Sequence, residues 1–293
     1  MQPANFSRER RCCQLRPPMS KSPSNSGQQN ARLERAGLAL RMQDFAEAER
    51  LAGEVLKAER GNLAAAVILG QALLATNRAA EAVAPLERAA RRANDAGVET
   101  LLATALAASG RIQDALDRLQ KATTRRPAYV PAFIEYARQF GRAMKLDDAI
   151  AVATAGLALA PDVIELKVEL ARLLIVSNER ARARTLLLQA QAAAPAHPDV
   201  LAELARVMLL DGEYAAAAEL YRRTLAVRPD AMTRANFALC LLELNERNAA
   251  EAQLREVVRG SPQLFGRAIA SMTVSSHGRF FMRPSAAAKF LQA

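Results

Sequence analysis

The sequence predicts an all-α protein built from repeated pairs of helices. Apolar residues make up 51% of the 293 residues, but aromatic residues make up only 4%, and tryptophan is absent. A core rich in alanine and leucine suits many closely packed helices better than a β-sheet. Small residues recur through the chain at intervals of 33 or 34 residues. A fixed period of this length indicates an array of stacked helical repeats.

The stretch 201–229 shows one repeat most clearly. Apolar residues from Leu201 to Met208 are spaced three and four apart, as on one face of a helix. The segment around Gly212 interrupts this pattern, which resumes on a second helix until Pro229 ends it. Such a pair cannot bury its own apolar stripe, so it needs similar pairs on either side.

Seven pairs of helices follow from three sets of equivalent positions. Each second helix has a small residue: Ala48, Ala82, Ala115, Ala149, Ala183, Ala217 and Ala250. Each first helix has another: Gly37, Gly70, Ala103, Ala137, Ala171, Ala205 and Ala238. Prolines end five of the pairs: Pro127, Pro161, Pro195, Pro229 and Pro262. Small side chains let helices approach closely, and a proline cannot continue a helix.

At these positions the chain resembles the tetratricopeptide repeat (TPR) family, whose unit is a helix–turn–helix of about 34 residues. The resemblance covers residues 31–262 and implies a right-handed α-solenoid of about seven repeats. The early tryptophan of the family pattern is absent, and Arg60 and Asn94 stand where a closing proline is usual. Pro85 lies inside a predicted second helix, where it removes one hydrogen bond.

The two ends of the chain differ from the repeats. Residues 1–30 are polar and rich in proline and serine, which predicts a disordered basic tail, and Met19 is an alternative start. Apolar positions in 264–272 predict a helix that caps the array, because a terminal repeat otherwise exposes its core face. Two interpretations remain open for the basic, aromatic residues that follow, up to 293. They fold back on the cap, or they form an exposed tail that docks elsewhere.

Composition excludes several classes of function. The net charge of +10 comes mainly from the two ends, so it is no sign of a nucleic-acid surface across the fold. Three cysteines and two histidines give no disulfide framework or metal site, and no motif for a cofactor or catalytic centre is found. No apolar run reaches the length of a membrane helix. We therefore expect a cytoplasmic protein without cofactors that is not an enzyme.

The resemblance implies that first helices line a concave groove in which peptides or partner helices bind. Three first helices carry the same Glu-x-x-Arg tetrapeptide at this surface, with a spacing of 34 residues. The predicted groove residues are Glu135, Arg138, Arg142, Glu169, Arg172, Glu203 and Arg206, preceded by a more apolar part with Val67, Ile68, Gln71 and Leu101. Two interpretations of the tetrapeptides stay open. They are solvated pairs within single helices, or they form a ladder that recognises carboxylates or carbonyl groups of a bound segment.

The leading hypothesis is a non-catalytic adaptor that binds a protein segment around Arg138, Arg172 and Arg206. Interleaved glutamates and few aromatic residues argue against RNA as the ligand. Alanine at the three arginines is expected to remove binding and to leave stability nearly unchanged. The alternative is a regulatory or substrate-presenting subunit of a separate envelope glycosyltransferase or sulfotransferase, contacted through the basic, aromatic C-terminal tail. The basic tails are also candidates for a weak contact with an anionic surface.

Overall fold

The computed structural model describes residues 25–279 and 283–292, and within these residues all regular structure is helical. The helices are α1 (Asn25–Arg41), α2 (Phe45–Ala58), α3 (Leu63–Ala75), α4 (Ala79–Arg92), α5 (Ala96–Ala108), α6 (Ile112–Thr123), α7 (Val130–Arg142), α8 (Leu146–Leu159), α9 (Ile164–Val176), α10 (Arg180–Ala193), α11 (Pro198–Leu210), α12 (Tyr214–Val227), α13 (Ala231–Glu243), α14 (Arg247–Gly260), α15 (Phe265–Val274) and α16 (Pro284–Gln292). The predicted all-α helical repeat is confirmed.

Helices α1 to α14 form seven pairs, each at the position that the repeat period predicts. The predicted pair in 201–229 corresponds to α11 and α12. Helix α1 begins at Asn25, so residues 25–30 are helical, whereas the sequence predicts disorder for them. The rest of the predicted N-terminal tail, residues 1–24 with Met19, lies outside the described residues.

The turn inside each pair is closed by one residue in the left-handed region of backbone space. These residues are Gln43, Asn77, Gly110, Met144, Asn178, Gly212 and Asn245, with φ between 58° and 89°. The amide of the next residue donates to the carbonyl five residues earlier, as from Asp44 to Ala39 at 2.9 Å. This bond satisfies one carbonyl that the end of the first helix leaves without a donor.

The described residues fall into two compact units, which meet in sequence between Arg92 and Ala93. The first unit contains α1 to α4, with a small core at Ala39, Ala48 and Ala72. The second unit contains α5 to α16. Its main core is formed by buried residues of α7 to α13, such as Leu174 and Leu204.

The C-terminal segment continues the second unit. Met272 on α15 and Leu291 on α16 are both buried in one apolar cluster with residues of α13 and α14. Helix α15 lies where the sequence predicts a capping helix, and α16 lies where it predicts a short last helix. They cover apolar surface of the last helix pair, which a repeat array requires at its end.

Candidate functional site

Three consecutive first helices, α7, α9 and α11, carry an alternating row of charges. The row, called the Glu/Arg row below, consists of Glu135, Arg138, Glu169, Arg172, Glu203 and Arg206. The spacing of 34 residues places equivalent side chains on equivalent faces of successive helices, so the row follows from the repeat itself.

The contacts in this row run between helices as well as within them. Arg138 donates through Nη1 to Glu135 Oε2 on its own helix at 3.0 Å, and through Nη2 to Glu169 Oε2 on α9 at 3.4 Å. Arg172 on α9 donates through Nε to Glu203 Oε1 on α11 at 2.7 Å. Pairs within single helices therefore describe only part of the row. The row also links neighbouring repeats.

Two carboxylates of this row are buried, and the guanidinium groups are more exposed than they are. Glu135 and Glu169 are only 7% and 6% exposed, whereas the side chain of Arg138 keeps 38% of its surface. Gln139 donates a further short hydrogen bond to Glu135. A buried carboxylate without a partner is strongly unfavourable, so Glu135 and Glu169 depend on these donors.

Arg172 is the most heavily bonded cation of the row. Besides Glu203 it faces Asp199 Oδ1 at 3.4 Å and Glu169 Oε2 at 3.7 Å. Burial disfavours the charged form of Arg172. The hydrogen bond to Glu203 and the charges of the three acids outweigh burial, so the pKa of Arg172 is raised. The charge of this guanidinium is therefore compensated by three carboxylates of the protein itself, which lowers what a further anion would gain there.

Asp199, in the first turn of α11, connects Arg172 of the row to Arg228 at the end of α12. Arg228 donates to Asp199 Oδ1 at 2.6 Å, and Arg172 approaches the same oxygen. The hydrogen bond from Arg228 is the main reason that the pKa of Asp199 is lowered, and it outweighs the opposing effect of burial.

The Glu/Arg row ends at Arg206, because the next first helix, α13, has Asn236 where another glutamate would continue it. Among the described residues, Arg206 has one acceptor, Glu203 Oε2, at 3.5 Å. Arg267 on α15 donates to Asn236 Oδ1 at 2.7 Å. At this end of the row, therefore, Arg206 has one long contact with a carboxylate, and Arg267 has a neutral acceptor.

Two open clefts adjoin this end of the row. One has a volume of about 490 Å³ and lies between α11 and α13, with Met232 at its edge. The other has a volume of about 480 Å³ and is lined by apolar residues that include Leu209 and Val274. Arg206, Asn236 and Arg267 line both clefts. We call these three residues the open end of the row.

Tyr221 on α12 lines the first of these clefts and is 1% exposed. Its buried hydroxyl has no hydrogen-bond partner among the described residues. Burial is the main reason that the pKa of Tyr221 is raised. Asn236 lies close enough to favour the ionised phenol slightly, but it does not form a hydrogen bond of good geometry. The wall of this cleft therefore contains a buried hydroxyl without a hydrogen-bond partner among the described residues.

The other predicted groove residues are not brought into the Glu/Arg row. Arg142, at the end of α7, is exposed. Val67, Ile68 and Gln71 lie on α3 in the first unit, where Ile68 packs against the alanine core and Gln71 is exposed. Leu101 lies on α5 in the second unit and is half-buried.

Sequence reasoning did not identify Asp199, Tyr221, Arg228 or Arg267 as site residues. Arg267 lies beyond the last repeat, so the period assigns it no position. Asp199 and Arg228 lie at the two ends of a helix pair, 29 residues apart, which no pattern on one helix face reveals. Asn236 was recognisable as the residue that replaces a charge at its position.

The basic, aromatic C-terminal segment folds back on the end of the array. The guanidinium groups of Arg255 and Arg279 lie 4.6 and 4.7 Å from the ring centre of Phe290. Arg279 also bonds the buried carboxylate of Glu251 at 3.0 Å. For residues 283–292 the exposed-tail interpretation is therefore wrong, because α16 packs on α14. Phe280 and Phe281 lie outside the described residues.

The described residues contain no group of three or more histidine, cysteine or acidic side chains that could hold a metal ion. No helix in the described part of the chain is long and apolar enough to cross a membrane. Cys240 is buried, and burial raises the pKa of its thiol to about 12, so it is a core residue rather than a nucleophile.

Comparison with known families agrees with this geometry. Residues 168–232 match the family described as tetratricopeptide repeat. Residues 41–122 match the family described as subunit 3 of the anaphase-promoting complex, or cyclosome. No curated protein matches the sequence significantly.

Several solved structures are similar in fold. A thermophilic TPR protein of Thermus thermophilus has 18% identity and a TM-score of 0.54, and the match covers 61% of this chain and 100% of that chain. The anaphase-promoting complex assembly Cut9–Hcn1 has 18% identity and a TM-score of 0.63, covering 92% of this chain and 56% of that chain. Human IFIT1, solved as a dimer with m7Gppp-AAAA, has 14% identity and a TM-score of 0.67, covering 83% of this chain and 62% of that chain. At these identities the likeness concerns the fold alone.

Proposed function

Because the chain belongs to the tetratricopeptide repeat family, whose members are in general protein-interaction scaffolds, we propose that it is a non-catalytic adaptor. It binds a segment of a partner protein on the face formed by α11, α13 and α15. The anchor of this segment is the open end of the row, with Arg206 and Arg267 as the charged groups.

The observation that carries this proposal is the contrast between the two parts of the Glu/Arg row. Arg138 and Arg172 each bond carboxylates on two helices, so their charges are compensated inside the protein. Arg206 has a single acceptor at 3.5 Å, and Arg267 has a neutral one. A ligand with an anionic group is therefore stabilised most at Arg206 and Arg267, where the row stops.

The chemistry of the open end favours a ligand that carries a hydrogen-bond acceptor. A guanidinium presents a planar fork of N–H donors that suits a carboxylate or a backbone carbonyl. Apolar side chains such as Leu209 and Met232 line the adjoining clefts. An extended peptide with a carboxylate and one or two apolar side chains matches this combination.

The same geometry disfavours a nucleic acid on this face. Binding to a phosphate backbone needs a row of uncompensated cations. Along α7, α9 and α11 glutamates alternate with arginines, and their charges cancel most of the positive field. The m7Gppp-AAAA in the human IFIT1 structure is a property of that protein, and nothing in this row supports it here.

No observation favours the alternative of an envelope-enzyme subunit. That hypothesis depended on a basic, aromatic tail free to dock elsewhere. In the structure Arg279 and Phe290 make their contacts within the chain, on the end of the repeat array.

The test is affinity purification with the full chain, comparing wild type with an Arg206→Ala/Arg267→Ala variant. Arg222→Ala is the matched control, because Arg222 pairs with Glu219 on the second helix α12 and does not line either cleft. We expect the double variant to lose at least one co-purifying protein that the control retains, with all three proteins equally folded. An unchanged set of partners in the double variant would contradict the proposal.

A further inference from the structure

The first unit contains a further cleft, on helices that take no part in the Glu/Arg row. It has a volume of about 640 Å³, and it lies between the second helices α2 and α4, with α3 beneath them. Its apolar wall is formed by Leu56, Leu69, Leu73 and Pro85. Leu73 and Pro85 are buried, whereas Leu56 and Leu69 are partly open to solvent.

Gly53 on α2 opens this cleft. A Cβ atom added at Gly53 would meet nothing within 4 Å. The equivalent position of every other second helix carries a side chain: Glu87, Gln120, Thr154, Leu188, Arg222 and Arg255. Glycine in a helix interior costs stability relative to alanine, and the position does not need it for packing. The opening is therefore a local property of the first unit rather than of the repeat.

The charges around the cleft are unequal at its two ends. Near the start of α2 and α4, Glu49 and Glu81 share the guanidinium of Arg78, with distances of 2.7 and 2.6 Å. Near the ends of the same helices lie Lys57, Arg60 and Arg88, which line the cleft and make no ion pair among the described residues. Each helix end contributes roughly half a negative charge, so the three cations still dominate there.

We propose that this cleft is a docking site for a short acidic segment of a partner protein. Large apolar side chains of the segment fill the space that Gly53 leaves, and its acidic residues face Lys57, Arg60 and Arg88. The volume is in the range of pockets that hold several side chains. The chain's own residues 1–24 have the wrong charge for this site, since they contain five basic residues and one acid.

The site is separate from the open end of the row, because it lies in the other unit and uses second helices. The proposal therefore does not depend on the proposed function of the first-helix face. A single chain would hold two partner segments, or two parts of one partner, at these surfaces.

The test is selection of random 12-residue peptides displayed on phage against the full chain. We expect enriched peptides to combine large apolar residues with an excess of Asp and Glu. Gly53→Leu fills the cleft without opposing the helix, and it should lower recovery of these peptides by at least about tenfold. Gly260→Leu is the matched control, since its Cβ also meets nothing within 4 Å and it lies outside the cleft.

A second variant tests the charge complementarity. Arg60→Glu with Arg88→Glu should turn the preference from acidic to basic peptides. The proposal is overturned if no enriched peptide depends on Gly53, or if the dependent peptides have no acidic excess. It is also overturned if vesicles of phosphatidylcholine and phosphatidylglycerol, but no peptide, show the sensitivity to Gly53→Leu, because the ligand is then a lipid surface.

Discussion

Arg172 on α9 donates a 2.7 Å hydrogen bond to Glu203 on α11 and so connects the first helices of two successive repeats. The same two helices contribute the fully buried Leu174 and the almost fully buried Leu204 to one apolar core. A residue chosen as a ligand contact on sequence grounds therefore also stabilises the stacking of the array.

Replacement of Arg172 by alanine should lower stability, contrary to the expectation that the three arginines can be removed without cost. The change leaves the buried Glu169 with one cation fewer nearby and removes the shortest hydrogen bond to Glu203. We expect a loss of roughly 1–2 kcal/mol in the free energy of unfolding, after allowance for the partial exposure of Arg172. Urea denaturation measures this loss, with Arg222→Ala as control. Equal stability of both variants would show that the row is not a structural link.

Asp199 should make stability depend on acid pH. Its pKa in the folded protein is lowered from an ordinary value of 3.8 by the hydrogen bond from Arg228. A depressed folded pKa means that the carboxylate stabilises the protein above about pH 4, and this contribution is lost as pH falls through the folded pKa. Asp199→Asn should therefore be less stable by about 0.5–1.5 kcal/mol at pH 7, with a difference that shrinks below pH 4.

Urea unfolding at several pH values measures the effect of Asp199. Asp162→Asn is the control, since Asp162 is exposed in the turn after α8. A difference between wild type and Asp199→Asn that is constant from pH 7 to pH 3 would contradict this account.

Met144→Gly should stabilise the protein although it removes a side chain. Met144 has a φ of 58°, which is unfavourable for a residue with a Cβ atom but not for glycine, and Met144 is 70% exposed. We expect a gain of about 0.5 kcal/mol in the free energy of unfolding, because the greater freedom of glycine in the unfolded chain offsets part of the relief. Gly212→Ala at the equivalent turn should have the opposite sign, by about 1 kcal/mol. Thermal unfolding of the two variants tests this pair, and the same sign for both would contradict it.

Tyr221→Phe should leave stability unchanged or raise it by up to about 1 kcal/mol. The buried hydroxyl has no partner, so its removal relieves a desolvation cost while the ring keeps its packing. Denaturant unfolding without ligand measures the effect, and Thr224→Val serves as comparison because the Thr224 hydroxyl does donate, to the Leu220 carbonyl at 2.9 Å. A loss of more than about 1 kcal/mol in Tyr221→Phe would mean that the hydroxyl is bonded in the folded protein.

The sequence predicts the helix pairs, their period and the cap, because packing of small residues such as Ala171 and Ala205 needs them at fixed intervals. It also predicts the Glu/Arg row, since residues 34 apart occupy equivalent faces. It does not predict the bond from Arg138 to Glu169, which depends on the rotation between successive repeats. Arg267 belongs to no repeat, so the period does not predict its place. Met144 adopts the left-handed turn conformation although it is neither glycine nor asparagine, the residues that usually mark such a turn.

Site-specific photo-cross-linking tests the central claim most directly. A photoreactive phenylalanine analogue replaces either Met232, at the cleft beside the open end of the row, or Leu188, on the second helix α10; the two side chains are 40% and 45% exposed. We expect a protein adduct from position 232 that is absent at position 188 and is lost with Arg206→Ala/Arg267→Ala. Equal adducts from both positions, or an adduct at 232 that persists in the double variant, would contradict binding at this face.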